Sequence, residues 1–202
     1  MPVTDPTLRS DKQDWQTPPD FFAVLHRHWK FDTDVAAHAD NALLPHYFTD
    51  CEPGRDALTN SWAGLRCYGN PPYGKMAGVF VTKAAQERHR ANVIVMLVAA
   101  RVDTDWWWNW AMRANEIRFL KNRVTFVGAP NSATFPNALL VFHPFEQDYP
   151  MLTWWKWRTR DGVLSHWDAG LHQGIRTLGV LHGSNIGSSS NGIGSFLGLA
   201  VD

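Results

Sequence analysis

Asn70-Pro71-Pro72-Tyr73 is the stretch whose residue types and order can do chemistry. Two consecutive prolines remove two backbone donors and fix two φ angles, leaving a stiff loop with free carbonyl acceptors. An amide side chain stands on one side of the pair and an aromatic ring on the other. Such a loop suits a flat group that bears an amino function. The Asn70 side-chain oxygen and the Pro71 carbonyl would accept its hydrogens, and Tyr73 would stack on its face. A nucleobase amino group is a poor nucleophile because its lone pair is delocalised into the ring. Two well-placed acceptors favour the sp³ geometry that attack requires. This is what an enzyme needs when it takes a base out of the stack and modifies it. The plainer reading of the same four residues is a proline-stiffened turn with an Asn cap.

The flanks of this loop say how it is held. The apolar segment Leu65–Tyr68 reads as a strand, Met76–Arg88 as a helix, and Val93–Val98 as a buried strand. The loop therefore sits at the carboxyl end of a strand, where open α/β sheets place ligands. Upstream, Thr17 reads as a helix cap, with Pro18 at the first helical position and Asp20 completing the capping pattern. Phe21, Phe22, Leu25 and Trp29 recur at helical spacing, and this helix is expected to run to about His28. Phe31–Ala37 reads as a short strand delivering Asp34 to a loop, His38–Tyr47 as a turn with a short helix, and Asp50–Arg55 as a loop. Downstream, a helix over Trp106–Ala114 is expected, then strands over Glu116–Leu120 and Val124–Val127, with Lys121-Asn122-Arg123 as a hairpin turn between them. Asn137–Phe142 reads as a last strong strand. Helices alternating with strands, then a strand-rich end, give the α/β class.

The chain of 202 residues suits a single domain with a tail. The expected boundaries are a flexible arm at 1–14, the main domain at 15–145, a Trp-rich extension at 146–182 and a disordered tail at 183–202. A formal net charge of +0 excludes a global electrostatic pull toward nucleic acid, so any such contact needs a local patch. Cys51 and Cys67 form no disulfide framework and no metal-ligand spacing, so a reduced, cytoplasmic setting and no metal are expected. The polar N-terminus does not read as a signal peptide, and no apolar run approaches a membrane span.

Asn70-Pro71-Pro72-Tyr73 resembles the signature of S-adenosylmethionine-dependent amino-methyltransferases. Its flanks are more specific. Asp14–Pro18, Asp34–Ala37, Asn41-Ala42, Tyr47–Thr49, Asp56–Leu58, Trp62, Ala100–Thr104, Trp106-Trp107 and Glu116–Arg123 resemble, in order, the phage DNA N6-adenine methyltransferase family. The likeness covers about residues 14–143.

The resemblance implies a Rossmann-like class I methyltransferase sheet with helices on both faces, in which Asn137–Phe142 runs antiparallel. It implies methyl transfer from S-adenosylmethionine to the N6 amino group of adenine in double-stranded DNA, the adenine being flipped out. It implies site-specific action in the host cytoplasm, encoded by a phage for protection against restriction. Little chain remains for a recognition region, so a short or relaxed recognition sequence is expected. The catalytic set would be Asn70, Pro71, Pro72 and Tyr73. The cofactor set would be Thr17 and Pro18, then Asp34 with Ala36 at the end of the first strand, and Asp56 for the adenine amino group of the cofactor. Asp50 and Glu52 are ribose candidates. Arg101, Lys121 and Arg123 are candidates for the DNA backbone, although Arg101 paired to Asp103 and a solvated hairpin tip are equally good readings. The tryptophans at 106–110 and 154–157 read mainly as packing, with base stacking as the alternative. Methylation of RNA adenine or a protein glutamine, or a non-catalytic DNA-binding module on the same fold, are the competing functions.

Overall fold

The computed structural model describes residues 15–158, so the expected arm, most of the extension and the tail lie outside the described residues. Seven strands form one sheet in the order β2-β1-β3-β4-β6-β5-β7. In chain order these are β1 (Thr33–Asp34), β2 (His46–Tyr47), β3 (Arg66–Gly69), β4 (Val93–Ala99), β5 (Glu116–Leu120), β6 (Asn137–Phe142) and β7 (Met151–Trp155). The helices are α1 (Pro19–Trp29), α2 (Lys75–Glu87) and the short α3 (Asp105–Asn109). All pairings are parallel except those of β6, which runs antiparallel to both β4 and β5, as expected for Asn137–Phe142.

Helices cover both faces because the central strands are apolar on both. In β4, Ile94, Met96 and Val98 pack with Phe80, Val81 and Ala84 of α2. The alternate residues Val93, Val95 and Leu97 pack with Phe21, Phe22, Leu25 and Trp29 of α1. An apolar run without alternation is the mark of a strand buried on both faces. The α/β class and the helices on both faces stand as expected.

Several local expectations are corrected. The helix expected over Trp106–Ala114 stops at Asn109, and one 3-10 turn, Ala111–Arg113, follows. Trp110 leaves helical geometry at φ −128°, and a run of indoles and Asn has little intrinsic helix preference to resist that. Arg88 donates to the Arg113 carbonyl at 2.6 Å, closing the segment from outside. The short helix expected within His38–Tyr47 is instead turns that end in β2.

Val124–Val127 is not a strand, and Lys121-Asn122-Arg123 is not a hairpin tip. The chain does turn there, with Asn122 at φ 86°. Both edges of β5 are already taken, by β6 on one side and by β7 on the other. No ladder remains for a hairpin partner on β5, so Val124 and Phe126 pack into the α1 side of the core while their carbonyls accept from the Ala133 and Ala129 N–H groups. The Trp-rich segment after residue 145 supplies β7, and Trp155 and Trp157 are buried in the same core.

Candidate active site

β5 runs in the same direction as β4, because each is antiparallel to β6. The carboxyl ends of β1, β3, β4 and β5 therefore share one edge of the sheet. Asp34, Asn70, Arg101 and Lys121 are the residues at or just after those ends. At this edge lies a cavity of about 240 Å³ whose wall includes Thr17, Asp34, Ala36, Asp50, Asp56, Asn70 and Pro72. Pro18, Pro71, Tyr73, Glu52, Arg101, Lys121 and Arg123 are not among its lining residues.

Asn70 follows β3, which ends at Gly69. A Cβ on Gly69 would lie 2.8 Å from Val35 Cγ2 and 2.9 Å from Met96 Cε. Only glycine lets those two side chains close beneath the loop. The Asn70 Nδ2 donates to the Trp15 carbonyl at 2.5 Å. A carbonyl can only accept, so this contact sets which way the amide points. Its oxygen then accepts from the Tyr73 hydroxyl at 3.3 Å. The Tyr73 ring is wedged against Phe135 and Phe126, at centroid distances of 4.7 and 5.7 Å. Burial holds the Tyr73 hydroxyl well above the usual phenol range. Pro71 is buried, and Pro72 faces the cavity.

Thr17 does not cap α1. Pro18 occupies the cap position, and no side chain caps the helix. The Thr17 hydroxyl shares a 2.8 Å hydrogen bond with the hydroxyl of Tyr68 in β3. Thr17 thus reaches the cavity as part of a buried pair. Asp20 accepts from its neighbour's Phe21 N–H and pairs with Arg158 at 2.5 Å.

Asp34 is 3% exposed. Its oxygens accept from the Ala36 and Leu43 N–H groups, both at 3.2 Å. Burial outweighs these bonds and pushes the carboxyl up to about 6. Asp56 accepts from the Leu58 N–H at 2.8 Å, which shapes the turn that carries it. That turn is anchored twice through Trp62, whose indole donates to the Ala57 carbonyl at 3.0 Å and whose N–H reaches Glu87 of α2 at 3.1 Å. Of the two ribose candidates, Asp50 lines the cavity, whereas Glu52 is engaged by Arg55 at 2.9 Å.

Arg101 and Lys121 are exposed at the same sheet edge. No Arg101–Asp103 ion pair forms among the described residues; the Arg101 carbonyl instead accepts from the Thr104 hydroxyl at 2.7 Å. Arg123 is tied down, donating to the Ala133 and Thr134 carbonyls at 3.3 and 3.1 Å.

Sequence reasoning missed three features. Trp15 orients Asn70 from 55 residues away, with no local signal. Asn137, 1% exposed at the start of β6, has a side chain with no hydrogen-bond partner at either polar atom among the described residues. Its amide lies near enough to the Tyr73 hydroxyl to oppose slightly the effect of burial there, without forming a well-made bond. Finally, His38, Asp50 and Cys51 converge on one another, although their spacing matches no ligand motif.

An amide acceptor and a buried carboxylate thus face one cavity at the carboxyl edge of a mainly parallel sheet. Comparison with known proteins bears on what that cavity serves. A DNA N-6-adenine-methyltransferase of Haemophilus phage HP1 (strain HP1c1) is 28% identical over 146 residues, covering 68% of this chain and 83% of the phage protein. The family model for DNA N-6-adenine-methyltransferase (Dam) matches residues 5–162. That match spans most of the sequence, and the chain belongs to the DNA N-6-adenine-methyltransferase family.

Proposed function

We propose that this protein transfers a methyl group from S-adenosylmethionine to the N6 amino group of an adenine turned out of duplex DNA. One observation carries the reading: Asn70 and Pro72 share a cavity wall with Asp34, Ala36 and Asp56. The acceptor loop and the proposed donor cradle are therefore contiguous, as direct transfer between two bound groups requires.

The residues present fit the donor. Asp34 is a buried carboxylate whose ionised form has no paired cation among the described residues, and the donor carries an ammonium and a sulfonium. Ala36 and Ala37 keep the neighbouring wall shallow, in place of a glycine-rich turn. Asp56 has its second carboxylate oxygen available to accept from an adenine amino group, the first being used by Leu58. The donor supplies an already electrophilic methyl group, so no covalent intermediate with the protein is needed.

Asn70 provides the acceptor for the target amino group. Its Oδ1 is free for that role once the long bond from Tyr73 yields. Tyr73 stays wedged against Phe126 and Phe135 and supports the loop from behind. Neutral Asn70 is not a base in this scheme; the amino proton leaves to solvent after the nitrogen has become cationic. Arg101 and Lys121, exposed on the same edge, position the DNA backbone. With little chain given over to recognition, the expected role is phage protection against restriction through a short or relaxed sequence, in the host cytoplasm.

Incubation with isotope-labelled S-adenosylmethionine and DNA, RNA or protein tests the reading, followed by sequencing of the DNA for modified adenines. Label in N6-methyladenine of DNA is expected. Label found only in RNA or protein would overturn the substrate. Failure to bind the donor at all would favour a non-catalytic DNA-binding module.

A further inference from the structure

His38 and Asp50 line the cavity, and their ligand atoms and that of Cys51 stand within 4.8 Å of one another. The three edges of the triangle are short. The Cys51 Sγ is 3.3 Å from His38 Nδ1 and 3.4 Å from Asp50 Oδ1, and Nδ1 is 3.7 Å from the same carboxylate oxygen. A tetrahedral ion with Zn–S, Zn–N and Zn–O bonds of about 2.3, 2.0 and 2.0 Å has ligand–ligand edges of about 3.3–3.6 Å. The two sulfur edges match one face of a zinc tetrahedron, and the nitrogen–oxygen edge of 3.7 Å needs to close by about 0.4 Å to complete it. Asp50 and Cys51 are exposed, so solvent has access to the cluster.

The backbone around the cluster is held in place. The His38 N–H donates to Asn41 Oδ1 at 2.7 Å, and the Cys51 N–H donates to Thr49 Oγ1 at 3.2 Å. The Thr49 hydroxyl also lies 3.2 Å from His38 Nδ1, the one competing contact for that nitrogen.

We propose that His38, Asp50 and Cys51 bind a borderline-soft divalent cation of the zinc class, with water in the fourth position. Thiolate, imidazole and carboxylate are a donor set that such ions favour. Binding expels the Cys51 thiol proton to solvent, and the two anionic ligands then balance the ion's charge. Two of the three ligands also line the cavity, so the ion sits at its mouth. The cluster's own distances carry the site, not the proposed function, although His38 and Asp50 belong to both it and the cavity.

Cobalt(II) titrated into the metal-free full-length chain tests it. The probe is chosen because a thiolate–cobalt bond gives a near-ultraviolet charge-transfer band. Cys51 and Cys67 are the only cysteines, and Cys67 is fully buried in the core. The band can therefore report Cys51 alone. The expected result is a band that saturates at one ion per chain, is lost in Cys51→Ser, and needs more cobalt in His38→Gln and in Asp50→Asn. Zinc should bleach it by displacement. Asp50 and Cys51 are exposed and His38 is half-buried, and thermal melts of each variant are to check that it folds. No band in the wild type, or a band that survives Cys51→Ser, overturns the site.

Discussion

The side chain of Asn70 donates to the backbone carbonyl of Trp15 at 2.5 Å. This bond turns the Asn70 oxygen away from Trp15 and toward Tyr73. The acceptor at the centre of the proposed chemistry is thus aimed by a residue far away in the chain. Asn70→Ala is expected to lower kcat by about 10²–10³, the usual cost of losing one preorganised polar contact to the reacting group. Donor affinity should stay nearly unchanged, because the other cavity residues remain. Calorimetry and single-turnover transfer separate the two effects. Lost donor binding with retained transfer would reverse the assignment.

Asp34 carries the pH dependence. Burial raises its folded-state value from 3.8 to about 6. The folded protein therefore binds more protons than the unfolded chain between those values. Stability of the ligand-free protein should fall as pH rises through that window, by about 3 kcal/mol, and then level off. Donor binding should run the other way. The carboxylate form is needed to hold a cation, so affinity should weaken about tenfold per pH unit below pH ~6. Asp34→Asn should bind the donor weakly, with this pH dependence flattened. Calorimetry across the range checks both signs.

Asn137 is buried beside Tyr73 without a hydrogen-bond partner among the described residues. An unsatisfied buried amide costs about 1–3 kcal/mol, and a cost retained next to an active loop suggests use. The Tyr73 hydroxyl needs a second partner once the target amino group takes Asn70. Asn137→Leu is expected to raise thermal stability and to lower kcat. A variant that is more stable and fully active would show that the amide plays no part in the reaction.

β7 should prove integral to the fold. Trp155 is 1% exposed and packs on Phe21 of α1, with ring centroids 5.9 Å apart. Trp154, its neighbour in sequence, is 62% exposed. Denaturant titration should show a loss of about 3–5 kcal/mol for Trp155→Ala and a change within about 0.5 kcal/mol for Trp154→Ala. Equal losses would contradict the burial pattern.

Arg101 and Lys121 are predicted to act through charge alone. Each alanine replacement should reduce the slope of log affinity against log salt by about 0.9, with equal weakening across DNA sequences. A change in sequence preference would instead point to base contact.

The amino-acid sequence by itself determined the chemistry of the loop, the class of the fold and the core strands. Those features are local. Asn-Pro-Pro-Tyr carries its acceptors and stiffness in four adjacent residues, and Val93–Ala99 is apolar at every position, so it reads as a buried strand wherever it is placed. The order of motifs around the loop was enough to identify the family. Tertiary structure decided the rest. Thr17 reads as a cap, yet its hydroxyl meets Tyr68, 51 residues later. Val124–Val127 reads as a strand, yet both edges of β5 are occupied. Asp34 reads as a strand-end carboxylate of the cofactor set, but only packing around it strips away water and raises its proton affinity. His38 and Cys51 share no motif, yet parallel pairing of β1 with β2 returns the chain so that the two meet. Each of these depends on which distant surfaces come together, and long-range contact leaves no periodicity in the chain to read.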